Sequence, residues 1–71
     1  MPLVTIRLAA RETPTTADQK ARLIARVTDV MVEVLEKRRE SVVVLIDELP
    51  PENWGEGGEP VTAIRARRRR T

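Results

Sequence analysis

The 71-residue chain contains no cysteine, histidine, tyrosine or phenylalanine, and a single tryptophan. Without cysteine there is no disulfide and no thiolate nucleophile. Without histidine there is no imidazole for acid/base work, and with both missing almost every zinc donor set is gone. The sequence therefore predicts no metal. The lack of cysteine agrees with a reducing compartment, and a cytoplasmic location is expected. No apolar run approaches 18 residues, so no membrane-spanning segment is expected. The opening MPLVTIRLAARE has no basic stretch ahead of an apolar one, and Arg7 interrupts it early, so it does not read as a signal peptide.

A chain this short forms one domain and buries only about 60% of its unfolded surface, which leaves a lone monomer marginal. With disulfides and metals set aside, oligomerisation is the remaining source of stability. The net charge of +2 conceals an asymmetry: five of the 13 basic residues, Arg65, Arg67, Arg68, Arg69 and Arg70, fall within the last seven positions. The remaining eight face 11 acidic residues, so the body carries −3 and the basic character belongs to the tail. The chain divides into a domain over 1–65 and a basic tail over 66–71, expected to be disordered.

Residues 2–9 alternate Val4, Ile6 and Leu8 with Leu3, Thr5 and Arg7, the period of a strand. Pro14 marks a loop. Thr16-Ala17-Asp18-Gln19 has the spacing of a capping box, which predicts a helix over about 17–37. Leu23, Ile24, Val27, Val30, Met31, Val34 and Leu35 form its apolar stripe, and surface ion pairs are expected between Arg22 or Arg26 and Asp29 or Glu33. Residues 41–49 are a second strand, and its continuous run Val42–Ile46 implies cover on both faces. Pro50-Pro51 ends it. Asn53 to Glu59 is a glycine-rich loop or small hairpin, without the Lys-Ser/Thr end of a phosphate loop. Pro60 to Ala66 reads as a turn of helix or a swapped strand.

Strand, helix and strand make one βαβ unit with parallel strands and a right-handed crossover. The fold class is α/β (α+β in some schemes), with a short C-terminal hairpin or loop. One helix covers one sheet face only, so the other face must meet another chain.

Three features in this order resemble the 4-oxalocrotonate tautomerase family. Met1-Pro2 leads directly into a strand, a capped helix opens with Asp18-Gln19-Lys20, and an apolar strand ending Ile46-Asp47-Glu48 precedes Trp54-Gly55-Glu56-Gly57-Gly58-Glu59. The similarity covers residues 2 to about 65. It implies a dimer with a four-stranded sheet under two helices, three such dimers forming a hexamer, and a 1,3-proton shift converting an enol such as a 2-hydroxydienoate into a conjugated ketone. It also implies that no cofactor is needed and that the base is Pro2, freed by removal of Met1.

The chemistry of that base stands on its own. A terminal amine has an ordinary pKa near 7.7–8.0, and burial or nearby arginines lower it toward neutrality, where a general base works best. While Met1 is attached the Pro2 nitrogen is an amide and has no basicity. The resemblance assigns Arg11 to the substrate carboxylate, which a guanidinium can grip with two parallel hydrogen bonds. Here the loop lacks the family's glycine and is about three residues longer. A second family arginine, in the middle of the second strand, corresponds to Val43, and Arg7 is the candidate to compensate. Trp54 matches the aromatic wall of the proline pocket. Glu52 and Glu56 are candidates for a water-activating role. The partners implied are a small enol or keto carboxylate and further copies of this chain. Two alternatives stand beside this reading. Val43 raises a complementary role in a hetero-oligomer, and the arginine tail raises nucleic-acid or acidic-partner binding. The acidic body and the lack of an aromatic platform weigh against nucleic acid.

Overall fold

The computed structural model describes residues 1–69. Strand β1 (Leu3–Ala9) leads through a loop to helix α1 (Ala17–Leu35), and a 3₁₀ turn (Arg39–Ser41) precedes strand β2 (Val43–Leu49). A second 3₁₀ turn (Pro51–Asn53) is followed by the hairpin β3 (Gly55–Glu56) and β4 (Glu59–Pro60), then by helix α2 (Val61–Arg69). β1 and β2 are parallel, with Leu3 beside Val43 and Arg7 beside Asp47.

The capping box forms as read. Thr16 Oγ1 accepts from the Gln19 amide at 3.1 Å, and the Gln19 side chain accepts from the Thr16 amide at 3.0 Å. Two of the N–H groups left over at a helix start are satisfied in this way. The helix stops at Leu35, two residues earlier than the pattern suggested, because Glu36 adopts a left-handed conformation with φ 53°. The surface ion pairs differ from expectation: Arg22 pairs with Asp18 one turn back, and Asp29 with Arg39 beyond the helix. β2 begins at Val43 rather than Ser41, whose hydroxyl donates to the Arg38 carbonyl and closes the 3₁₀ turn.

The core lies between α1 and one face of the sheet, where Val4, Ile6, Leu8, Val44 and Ile46 meet Leu23, Val27 and Met31, all half-buried. Thr28 is buried among them, its hydroxyl satisfied by the Ile24 carbonyl at 2.7 Å. The opposite face is bare: Leu3 is 61% and Leu45 52% exposed, with Thr5, Arg7, Val43 and Asp47 alongside. Val30 and Val34 on α1 are uncovered as well. The radius of gyration is 15.8 Å, against about 11 Å for a compact domain of this length. The single chain thus leaves a contiguous apolar surface in water, the kind of patch that marks an interaction site.

The hairpin turns on Gly57 and Gly58, with φ 59° and 87°. Positive φ at both central positions is the demand of the turn that matches strand twist. The C-terminal segment corrects the sequence reading. Residues 61–69 form a helix, so 66–69 continue it instead of forming an irregular tail, while Arg70 and Thr71 lie outside the described residues. Two fastenings are long-range, Arg65 Nη1 donating to the Ala10 carbonyl at 2.6 Å and Arg69 pairing with Glu12 at 2.9 Å, while a local one pairs Arg67 with Glu59. Among the described residues no helix is long and apolar enough to cross a membrane.

Candidate active site

β1 is a rod with different chemistry at its two ends. At its start, the Pro2 carbonyl accepts from the Val43 amide at 3.0 Å, which ties residue 2 to the entrance of β2. Pro2 is half-buried beside the apolar Leu3–Val43 pair, while Met1 is 94% exposed and projects away. At that exposure Met1 adds almost nothing to the packing of the described residues, and its loss would uncover an imino nitrogen on an apolar edge.

At the far end, the 10–16 loop, the hairpin and α2 converge. Ala10 continues the strand pairing by donating to the Leu49 carbonyl at 2.8 Å. Val61 donates to the Trp54 carbonyl at 2.7 Å and docks α2 on the hairpin. The half-buried Trp54 indole N–H donates to Glu56 at 3.1 Å. These contacts frame a cavity of about 320 Å³ whose lining includes Arg7, Arg11, Trp54, Glu56, Arg65 and Arg68. Four arginines against one glutamate give it a positive field, beside the Trp54 indole. That field favours an anion, and the volume suits a small molecule. A second cavity of about 570 Å³ lies against the same loop and shares Arg11 and Arg65 with the first.

The loop approach to this region is braced by Glu48. Its side chain is 16% exposed, one oxygen 3.1 Å from Lys20 Nζ and the other 3.3 Å from the Thr15 amide. The hydrogen bond from Lys20 and then that from Thr15 hold this carboxyl below its ordinary pKa of 4.5, against the opposing pull of partial burial.

Of the residues singled out from sequence, the fold brings Arg7, Arg11 and Trp54 to one cavity and leaves Pro2 at the opposite end of β1. Seven strand residues at about 3.3 Å each put roughly 20 Å between them. Val43 stands beside Pro2, not near Arg11. Glu56 lines the cavity, whereas Glu52, in the second 3₁₀ turn, does not. Arg65 and Arg68 were missed as cavity residues. Their signal was the spacing of three and four among Arg65, Arg68 and Arg69, a helical period hidden inside what looked like a charge run. Among the described residues no group of three or more acidic side chains is placed to hold a metal ion.

Comparison with known proteins agrees with this architecture. Residues 2–64 match the family model for tautomerase enzymes. A probable tautomerase of Helicobacter pylori is 45% identical over 65 residues, covering 92% of this chain and 96% of that protein. The 2-hydroxymuconate tautomerase of Pseudomonas sp. strain CF600 is 42% identical over 50 residues, covering 70% of this chain and 79% of its own. The crystal structure of TomN, a 4-oxalocrotonate tautomerase homologue of the tomaymycin biosynthetic pathway, superposes with a TM-score of 0.82 at 34% identity, covering 92% of this chain and 95% of its own. A βαβ chain matched from Pro2 to Ile64, with solved relatives of the same shape, is an isomerase of the tautomerase family.

Proposed function

We propose that this enzyme interconverts enol and keto forms of a small carboxylate, with the Pro2 nitrogen as general base once Met1 is removed. The free imino nitrogen accepts the proton of the enol O–H. The oxygen's electrons form the carbonyl, and the electrons of the enol double bond take the proton back from the prolinium at carbon: at C3 of a simple enol, or, with the second double bond shifting into conjugation, at C5 of a dienol such as 2-hydroxymuconate. Proton and electrons balance without a redox partner. The carboxylate is held by Arg11, with Arg7 beside it, and Trp54 excludes water from the reacting atoms.

The observation that carries this reading is the meeting of Arg7, Arg11 and Trp54 in one cationic cavity, although they are remote in sequence. The base and the cavity lie at opposite ends of β1, so the working unit in this proposal is a homo-oligomer in which Pro2 of one chain faces the cavity of another. The bare sheet face supplies the surface for that assembly. A hexamer is the form the family resemblance suggests, and the cytoplasm is the compartment in which we place it. The relative named for 2-hydroxymuconate makes a 2-hydroxydienoate the first substrate to try.

Intact mass combined with a ketonisation assay on 2-hydroxymuconate or phenylenolpyruvate tests the reading. Protein lacking Met1 should turn over, and protein retaining it should not. A chain that keeps Met1 and is fully active would rule out Pro2 as the base. A second reading rests on Val43, which stands where the family resemblance places an arginine. There the chain is the complementary subunit of a hetero-oligomer, and a pure, active assembly of this chain alone would remove it.

A further inference from the structure

The loop carrying Arg11 is anchored from the C-terminal helix. Arg65 Nη1 reaches back across 55 residues to the Ala10 carbonyl, in a partly buried contact of 2.6 Å. That carbonyl belongs to the peptide bond entering Arg11. The same peptide's other neighbour is fixed too, since the Ala10 amide donates to Leu49 at 2.8 Å. One residue past Arg11, the Glu12 carboxylate pairs with Arg69 at 2.9 Å. Arg65 and Arg69 are four residues apart and share one face of α2. Arg11 is exposed, and both residues flanking it are held by that helix face.

The tether opposes a specific force. Arg11 and Arg65 line the same two cavities, and like charges at such range repel. Left unfastened, this exposed loop is free to carry Arg11 away from the cavity. A charge-assisted hydrogen bond to a carbonyl holds it in, and it uses one N–H of the five on the guanidinium.

We propose that Arg65 is a positioning residue for Arg11, with Arg69 in a supporting role, and that the basic C-terminal segment serves the substrate site. The inference rests on the reading of Arg11 as the carboxylate-binding residue. Because Arg65 needs only one donor to reach Ala10, a lysine should replace it, whereas a residue gripping the substrate with both prongs of its fork would not tolerate that exchange.

The test is steady-state kinetics of Met1-free enzyme on 2-hydroxymuconate, joined to hydrogen exchange of the Ala10 and Thr15 amides, which are hydrogen-bonded at the two ends of the loop. Arg65→Ala should raise KM about 5-fold or more with kcat within about 2-fold, and should add nothing in an Arg11→Ala background. Arg65→Lys should stay within about 3-fold of the parent in KM. Exchange in the loop should quicken in Arg65→Ala and return in Arg65→Lys. Arg69→Ala, an exposed change, should quicken it less and covers the case in which Arg65→Ala does not assemble. The proposal is overturned if Arg65→Lys is as damaging as Arg65→Ala, if the Arg65 and Arg11 effects add in full, or if loop exchange is unmoved. If Pro2→Ala keeps full activity the reaction mechanism has failed instead, and exchange still judges the tether.

Discussion

Lys20 Nζ lies 3.1 Å from Glu48 Oε1, joining the first turn of α1 to the last residues of β2 beneath the loop that carries Arg11. Because Glu48 is held below its ordinary pKa of 4.5, its contribution is present above that value and fades as pH falls through the lower folded value. Wild-type protein should therefore exceed Glu48→Gln in unfolding midpoint at pH 7, and the gap should narrow progressively as pH falls below 4.5. Thermal unfolding at a series of pH values measures it. A gap that is the same at pH 7 and pH 3 would show that the charge of Glu48 is irrelevant.

Leu45 stands at the centre of the bare sheet face, 52% exposed in the single chain. Placing a charge there leaves the helix-facing core untouched and should break the assembly, since an unpaired buried charge costs several kcal/mol. For Leu45→Asp, light scattering after size exclusion should give a mass near the chain's 8.0 kDa, with activity lost. An intact, active oligomer would show that this face is not the interface.

Arg11→Ala removes the charged partner of the substrate carboxylate. Hydrogen bonds to charged groups are worth about 1.5–3 kcal/mol, so KM should rise roughly 10- to 100-fold while kcat moves less. Unchanged constants would make Arg11 a bystander and leave carboxylate binding to Arg7 or Arg68.

Gly57 and Gly58 both have positive φ, yet a Cβ at either would meet nothing within 4 Å among the described residues. Any loss on substitution is therefore backbone strain. Gly58→Ala should cost about 1–2 kcal/mol in unfolding free energy, against a few tenths for a surface change such as Thr62→Ser. Equal midpoints in urea would mean that the turn adapts.

The parts of this molecule legible in its sequence are those governed by local rules. Thr16 and Gln19 announce the start of α1 because capping is settled within four residues. Gly57-Gly58 announces the hairpin because the turn demands positive φ. The strands show in the alternation around Ile6 and the run ending at Ile46. Helix α2 was obscured because its fastenings, Arg65 to Ala10 and Arg69 to Glu12, join positions more than 50 apart, and no local pattern encodes them. Read alone, that arginine run looks like a solvated tail. Arg7, Arg11 and Trp54 could be chosen from residue type and resemblance. Their separation from Pro2 follows only once β1 is laid out as a straight strand.

The central claim is that Pro2 of one chain works against the cationic cavity of another. Pro2→Ala should lower turnover by about 10²–10⁴-fold, and Arg11→Ala should cripple turnover at low substrate. The two variants, unfolded together in equal amounts and reassembled, offer the most direct measurement. Random pairing of chains gives about a quarter of the sites an intact Pro2 facing an intact Arg11, so the mixture should regain about that fraction of wild-type activity. Mixed oligomers no more active than their crippled parents would contradict a site shared between chains.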